Sequence, residues 1–130
     1  MRGNKREGTR PELIVRKLLY RLGYRYRTHV RGLPGRPDLV FSKRRLIVQV
    51  HGCFWHQHAE PDCPLRTKPR ANTAYWDVKL GRNVERDAEQ RKALEALGWR
   101  TLTVWECQCT NSLALQDKLS QFLGPPKIRP

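Results

Sequence analysis

Apolar residues recur at helical spacing from Leu13 to Leu22, directly after the polar segment TRPE at 9–12. That segment has the form of a capping box, in which side chains at the two ends of the first turn bind backbone amides. Gly23 follows the last apolar residue of the pattern, as is common where a helix ends. The pattern therefore predicts a first helix between about residues 9 and 23.

The spacing then changes to alternation between residues 24 and 31. Tyrosine, threonine and valine occupy one face of this segment and arginine and histidine the other, which predicts a strand with a basic outer face. A turn rich in glycine and proline follows at 32–37. Two apolar runs, at 38–41 and 46–51, then flank the polar tetrapeptide SKRR and predict a β-hairpin.

The second half of the chain repeats the change of period. A second helix is predicted from about residue 75 to 97, where Gly98 ends it, and a further strand from 99 to 107. Asn111 or Ser112 caps a last helix, whose apolar positions are Leu115, Leu119 and Phe122. The order α-β-β-β-α-β-α predicts an α/β fold with helices packed on a mixed sheet.

The length of the chain and its lack of long apolar tracts limit the number of domains and the cellular location that can be expected. A chain of 130 residues fits one domain, with residues 1–8 and 124–130 as loose tails. The first ten residues, MRGNKREGTR, are basic and contain no apolar signal-peptide region. No apolar run reaches the length of a membrane span, so a cytoplasmic protein is predicted.

The charge balance indicates a polyanionic partner. Lys and Arg number 26 against 12 Asp and Glu, which gives a formal net charge of +14. Such a surplus on a small domain is typical of proteins that bind nucleic acid, and arginine suits phosphate groups in particular. The alternative is a charge that serves solubility or a ribosomal-type role. A membrane surface is less favoured, because no long basic amphipathic helix is predicted.

Candidate chemistry begins where the predicted turn meets the hairpin. Asp38 follows Pro37, and the next predicted strand ends in Gln49, Val50 and His51. This arrangement resembles the PD-(D/E)xK nuclease core, whose element order matches the predicted one and in which the two motifs converge on a metal ion. Gln49 stands in place of the second acid and His51 in place of the lysine. Alternatively, Asp38 is a turn residue that binds nearby backbone.

Four separated motifs extend that resemblance: LPGRPD at 33–38, VHGCFWH at 50–56, KLGRNVERD at 79–87 and WEC at 105–107. From about residue 9 to 107 the chain is similar to the very-short-patch-repair (Vsr) mismatch endonucleases. The resemblance implies a bacterial-type, nucleoid-associated enzyme with a restriction-endonuclease-like fold. It implies nicking of double-stranded DNA 5′ to the thymine of a T:G mismatch that arises from deaminated 5-methylcytosine.

The resemblance also implies catalytic roles. Asp38 would bind Mg²⁺ directly, the Val50 carbonyl would be a second ligand, and two metal ions would take part. His56 matches the proposed general base, and a histidine of ordinary pKa can accept a proton at neutral pH. Three residues would organise metal-bound waters and the phosphate: Glu12, His51 and Asp87. Alternatively, Glu12 is only the capping-box acid and Asp87 only a solvated helix acid.

Cysteine and histidine spacing predicts a second metal site. Cys53, His58 and Cys63 form C-x4-H-x4-C, and either Cys107 or Cys109 could complete a Cys₃His set. The resemblance implies a structural zinc held by Cys53, His58, Cys63 and Cys107, although the stretch at 59–62 is longer than expected for the family. The alternative is four buried thiols without metal.

Aromatic residues lie among these ligands. The resemblance implies that Phe54, Trp55 and Trp76 push into the base stack beside the mismatch, where unstacking costs least. The alternative is that they cover the core, as Trp99 and Trp105 are expected to do.

The resemblance also implies the partners of the protein. The resemblance implies mismatched double-stranded DNA and mismatch-repair proteins as partners, and a monomer suffices for a single-strand nick. Few residues precede the first helix, so the family's N-terminal DNA clamp is expected to be short or missing. Two alternatives stay open: a restriction-type or general nicking endonuclease on the same fold, and a non-catalytic zinc module that only binds DNA.

Overall fold

A computed structural model of the chain describes residues 8–60 and 62–126. Within these residues the predicted order α-β-β-β-α-β-α is confirmed. The helices and strands are α1 (Arg10–Arg21), β1 (Arg27–Thr28), β2 (Leu39–Phe41), β3 (Leu46–His51), α2 (Thr73–Ala96), β4 (Arg100–Trp105) and α3 (Ser112–Leu123). The predicted tails at 1–8 and 124–130 fall mostly outside the described residues.

The described strands form one four-stranded mixed sheet in the order β1-β2-β3-β4. β1 and β2, and β2 and β3, pair antiparallel, which confirms the predicted hairpin. β3 and β4 pair in parallel from Leu46–Arg100 to His51–Trp105. Parallel neighbours need a crossover connection, and α2 provides it. The carboxyl ends of β3 and β4 therefore lie side by side, with His51 opposite Trp105.

Helices cover both faces of the sheet. One core packs α1 and α3 against β2, β3 and β4, with Val15, Leu19 and Leu119 fully buried. The other packs Leu94 of α2 and Trp99 against the opposite face, where Ile47 is fully buried. β2 and β3 are thus buried on both faces, so the polar residues at their ends are held by a rigid framework.

The strand predicted for residues 24–31 is wrong in length, because only Arg27–Thr28 pair with β2. His29 adopts a left-handed φ of 49°, which ends the ladder. Tyr24 is buried and donates its hydroxyl to the Gly124 carbonyl, and Tyr26 donates to the Arg16 carbonyl at 2.9 Å. The alternation therefore reflects tyrosine burial against other elements more than strand pairing.

The two predicted helix caps are confirmed. The Thr9 hydroxyl accepts from the Glu12 amide at 3.4 Å, while the Glu12 side chain is only 2% exposed. Asn111 caps α3 by accepting from the Ala114 amide at 3.1 Å. β4 ends earlier than predicted, so Cys107 lies in a short 3₁₀ turn that follows it. None of the described helices is long and apolar enough to cross a membrane.

Candidate active site and metal sites

Two carboxylates and an imidazole from three separate segments meet beside the start of α1. Nε2 of His29 lies 3.1 Å from Oε2 of Glu12 and 3.7 Å from Oδ1 of Asp38. One ligand atom from each residue lies within 4.8 Å of the others, so the group could hold a metal ion. Sequence reasoning predicted Glu12 and Asp38 here but placed His29 on the outer face of a strand.

Asp38 is fixed by the neighbouring strand. Its Oδ2 accepts from the Val50 amide at 2.7 Å, and the Gln49 side-chain oxygen accepts from the Asp38 amide at 3.1 Å. Burial raises the pKa of Asp38 to about 6, although the Val50 hydrogen bond lowers it. Ionising this carboxylate next to Glu12 is therefore unfavourable without a compensating cation.

A second cluster joins the end of β3 to the middle of α2. The rings of His51 and His56 stack with centroids 3.9 Å apart and planes 7° apart. Nδ1 of His56 lies 2.5 Å from Oδ2 of Asp87. Burial, with the neighbouring His56, lowers the pKa of His51 to about 4, so this imidazole is neutral at pH 7. The arrangement provides one histidine oriented by a carboxylate and one held uncharged.

One open groove of about 660 Å³ is lined by Glu12 and Asp38 of the first cluster, by all three residues of the second cluster, and by Val50, the predicted backbone ligand. Three cationic residues line the same groove: Arg36, Lys79 and Arg86. Glu106 also lines it, and its Oε1 accepts from the Cys53 amide at 3.4 Å. The groove thus combines carboxylates, imidazoles and positive charge, which suits a metal ion and a phosphate together.

The four predicted zinc ligands form a separate cluster: Cys53, His58, Cys63 and Cys107. Nδ1 of His58 lies 3.7 Å from Sγ of Cys53 and 3.5 Å from Sγ of Cys107. All four cysteines are free thiols. Cys109 points elsewhere, with Sγ 3.9 Å from the Pro11 carbonyl and 3.8 Å from the Trp105 carbonyl. The structure therefore brings Cys107, and not Cys109, to the predicted ligand set.

Successive turns after β3 separate the side chains of this loop. The His58 amide donates to the Cys53 carbonyl at 3.0 Å, and the Gln57 side chain donates to the Phe54 carbonyl at 2.7 Å. Cys53 is fully buried, whereas Phe54 and Trp55 are half-buried. The backbone thus turns ligands inward and leaves the adjoining aromatic rings partly in solvent.

The three predicted wedge residues form one aromatic cluster. The ring of Phe54 lies 4.9 Å from that of Trp55 and 5.3 Å from that of Trp76. Asn83 of α2 donates to the Trp55 carbonyl at 2.9 Å. Trp99, in contrast, is 8% exposed and belongs to the core, as expected. The cluster lies at the edge of the groove, since Trp55 is one of its lining residues.

Trp105 is not the ordinary core residue expected from sequence. Its ring stacks on His58 with centroids 4.3 Å apart and lies edge-on to His51 at 5.3 Å. A half-buried tryptophan thus packs between the cysteine–histidine cluster and the histidine pair. The sequence motif alone could not reveal this contact, because it depends on the parallel register of β3 and β4.

Known proteins resemble the chain along most of its length. The family model for the DNA mismatch endonuclease Vsr matches residues 1–63. The type II nicking enzyme V.XorIIP of Xanthomonas oryzae pv. oryzae is 44% identical over 119 residues, which cover 92% of this chain and 85% of the relative. The DNA mismatch endonuclease Vsr of Escherichia coli K12 is 40% identical over 118 residues, covering 91% and 74%. The type II nicking enzyme V.NmeAIP of Neisseria meningitidis serogroup A is 37% identical over 115 residues, covering 88% and 80%.

Proposed function

This chain belongs to the Vsr family of DNA mismatch endonucleases, and on that premise we propose that it nicks double-stranded DNA 5′ to the thymine of a T:G mismatch. The family implies a restriction-endonuclease-like fold and an endonuclease that acts on DNA. The observation that supports nicking chemistry is the His56–Asp87 pair, which lines the same groove as Asp38 and the cationic residues. The T:G substrate is proposed from the family.

Divalent metal is the proposed cofactor of this groove. Asp38 and the Val50 carbonyl would hold Mg²⁺, and the buried Asp38 carboxylate fits a cation because its ionisation is otherwise unfavourable. When bound, the metal would stabilise negative charge on the scissile phosphate and its leaving oxygen. Glu12, buried beside Asp38, would hold metal-bound water in place by accepting its hydrogen bonds.

The histidines supply the proposed proton chemistry. Asp87 holds Nδ1 of His56, so Nε2 would be the nitrogen that accepts the proton of the attacking water. His51 stays neutral beside it and so adds no positive charge that would depress the basicity of His56. As a neutral donor, His51 would bind the phosphate or a water next to it.

The cysteine–histidine cluster is proposed to hold one structural zinc. Three thiolates and one imidazole are a usual ligand set for a closed tetrahedral site, and the convergence of Cys53, His58, Cys63 and Cys107 fits it. The zinc would join the loop after β3 to the turn after β4. That loop carries Phe54 and Trp55, so zinc binding would fix the position of both rings.

Mismatch recognition is proposed to use the aromatic cluster. Phe54, Trp55 and Trp76 would enter the base stack next to the T:G pair, where unstacking costs less than at a matched step. Half-exposed rings at the edge of the groove support this role. A monomer would suffice, because one groove makes one nick.

A panel of labelled duplexes tests the proposal. Purified protein with Mg²⁺ should nick the T strand of T:G duplexes, with a preference among flanking sequences, and should leave matched C:G duplexes intact. Asp38→Asn is the matched inactive control, because it removes a proposed metal ligand without changing the basic surface. Failure to nick any T:G duplex in the panel would contradict the proposal.

A general or restriction-type nicking enzyme is the second candidate, since two of the relatives are named type II nicking enzymes. The same panel separates the two functions. Equal nicking of matched and mismatched duplexes would favour this candidate, whereas nicking confined to T:G duplexes would exclude it.

A further inference from the structure

His29 lies beside Glu12 and Asp38, but the proposed mechanism gives it no role. Its ring is mostly buried, with 12% of the side chain exposed. Nε2 faces both carboxylates, at 3.1 Å from Oε2 of Glu12 and 3.7 Å from Oδ1 of Asp38. The Val50 amide occupies Oδ2 of Asp38, so Oδ1 is the oxygen turned toward the imidazole.

These separations are close to those between ligand atoms that share one cation. In an octahedral site with bonds of about 2.1 Å, adjacent ligand atoms are about 3.0 Å apart and opposite ones about 4.2 Å. The Glu12–His29 separation is close to the first value, and the His29–Asp38 separation lies between the two. Small side-chain shifts would therefore place all three atoms around one ion.

The backbone holds the imidazole in this position. His29 has a left-handed φ of 49°, which is uncommon for a residue with a side chain. Its amide donates to the Asp38 carbonyl at 3.2 Å, so the backbones of His29 and Asp38 are held next to each other. A side chain placed by an unfavourable backbone conformation next to reactive groups is a common sign of a functional constraint.

We propose that, in the DNA-free protein, His29 is a direct nitrogen ligand of a divalent cation that Asp38 also binds. Glu12 then binds this cation directly, without the water that separates them in the proposed nicking complex. Oxygen ligands alone suit Mg²⁺ and Ca²⁺, whereas an imidazole favours transition-metal ions. The imidazole nitrogen therefore adds more to the affinity for Mn²⁺ than to the affinity for Mg²⁺. The inference rests on the proposed function in one respect, that this cation serves the nicking reaction.

Electron paramagnetic resonance on Mn²⁺ tests the ligand directly. The full-length protein, loaded with zinc and free of DNA, is titrated with Mn²⁺, and the bound ion is examined by electron spin-echo modulation. Coupling to the ¹⁴N nucleus of a coordinated imidazole is expected in the native protein. His29→Asn should abolish it, because asparagine tolerates the left-handed conformation but offers no ring nitrogen. His51→Asn, in the neighbouring cluster, is the matched control and should retain the coupling.

Affinity provides a second readout. His29→Asn should weaken Mn²⁺ binding by about 10–100-fold, a loss typical of changes close to a metal, and Mg²⁺ binding much less. Equal losses for both ions would overturn the proposal, since they would indicate that His29 only positions Glu12 through a hydrogen bond. Absence of ¹⁴N coupling in the native protein would overturn it without any variant.

The outcomes separate this inference from the proposed function. Mg²⁺-dependent nicking of T:G duplexes without ¹⁴N coupling would refute the nitrogen ligand and leave the function standing. Coupling that His29→Asn removes, in a protein that nicks no T:G duplex with either ion, would support the ligand and refute the function.

Discussion

His56 owes its orientation to a carboxylate 31 positions away in sequence. Asp87 lies 2.5 Å from Nδ1, which fixes the ring and favours the tautomer with the proton on that nitrogen. Nε2 then carries the free lone pair that a general base needs. The stacked His51 ring limits the remaining freedom of His56.

We expect His56→Ala to slow single-turnover nicking by roughly 10²–10⁴-fold, the usual contribution of a general base. Affinity for the T:G duplex should change little, because the cationic residues of the groove remain. Asp87→Asn should lower the rate as well, since it removes the charge that stabilises a protonated imidazole. Quenched-flow assays with excess enzyme measure both rates, and a near-native rate for His56→Ala would exclude it as the base.

Asp38, the proposed metal ligand, is expected to destabilise the folded protein at neutral pH although the proposed reaction needs its charge. Burial raises its folded pKa to about 6, above the usual 3.8. The protonated form is thus favoured by folding, so this contribution to stability is present below about pH 3.8 and is lost as the pH rises through 6. At pH 7 the ionised carboxylate destabilises the metal-free protein.

Asp38→Asn should therefore abolish Mg²⁺-dependent nicking and yet stabilise the zinc-loaded, Mg²⁺-free protein by about 1–3 kcal/mol at pH 7.5. The gain should shrink as the pH falls below about 6, where the folded native residue becomes protonated, and should be largely gone below about pH 3.8. Adding Mg²⁺ should raise the melting temperature of the native protein and not that of the variant. Thermal melts across pH measure these effects, and a variant less stable than the native protein at pH 7.5 would contradict the assignment.

At the scale of elements, the loop after β3 and the turn after β4 are joined through the cysteine–histidine cluster. Neither segment has a regular hydrogen-bond ladder, so a bound zinc would supply much of their order. Trp105 stacks on His58 and packs edge-on against His51. Zinc binding is therefore expected to fix the positions of His51 and His56 as well, through the contacts of Trp105.

Two neighbouring cysteines give a matched test of the zinc site. Cys107→Ser should lose the metal, because its Sγ lies 3.5 Å from Nδ1 of His58, whereas Cys109→Ser should retain about one zinc per chain. Elemental analysis after dialysis measures the zinc, and thermal melts measure the loss of stability. If Cys109→Ser loses zinc and Cys107→Ser retains it, Cys109 is the ligand. Active protein without zinc would show that no structural zinc site exists.

The aromatic cluster permits a separate test of mismatch recognition. Trp55→Ala removes a stacking surface worth roughly 1–3 kcal/mol per base, so affinity for T:G duplexes should fall by about that amount. Weak binding to matched duplex should change little. Tyr20→Ala, which removes an exposed aromatic ring on α1, is the control and should alter neither affinity. Equal loss on both duplexes, or a large drop in melting temperature, would identify Trp55 as a structural residue.

Sequence patterns predicted the elements better than the contacts between them. The first and last helices carry local capping signals at Thr9 and Asn111, so their starts were predictable. The strand at 24–31 was not, because alternation also arises when tyrosines pack on neighbouring elements. His29 was missed because the alternation placed it on the outer face of a strand, whereas the strand ends at Thr28 and His29 has a left-handed φ of 49°.

At the scale of the whole molecule, the motifs predicted which residues meet, because separated segments of one family keep their order. Asp38, His56 and Asp87 line one groove as the resemblance implied. The position of Trp105 between the two clusters depends on long-range register, which no local pattern encodes. That all 130 residues form one domain stays a prediction.

The net charge of +14 predicts the salt dependence of DNA binding. If 6–10 phosphates are neutralised, affinity for any duplex should fall by about 10³–10⁵ between 50 and 200 mM salt. The preference for T:G over matched duplex should persist, because stacking releases few counterions. Fluorescence anisotropy at several salt concentrations measures both the affinity and the T:G preference. A preference that vanishes at high salt would contradict the proposal that the aromatic cluster provides it.

Helix α2 carries Trp76, Asn83 and Asp87, which contact the aromatic cluster, the Trp55 carbonyl and His56 in turn. At about 100° per residue, the eleven positions from Trp76 to Asp87 make three turns plus about 20°, so all three side chains project from one side. An insertion of one residue would rotate Asp87 by about 100° relative to Trp76. The number of residues between Trp76 and Asp87 therefore fixes where the aromatic cluster lies relative to His56, and a change in that number would separate the two.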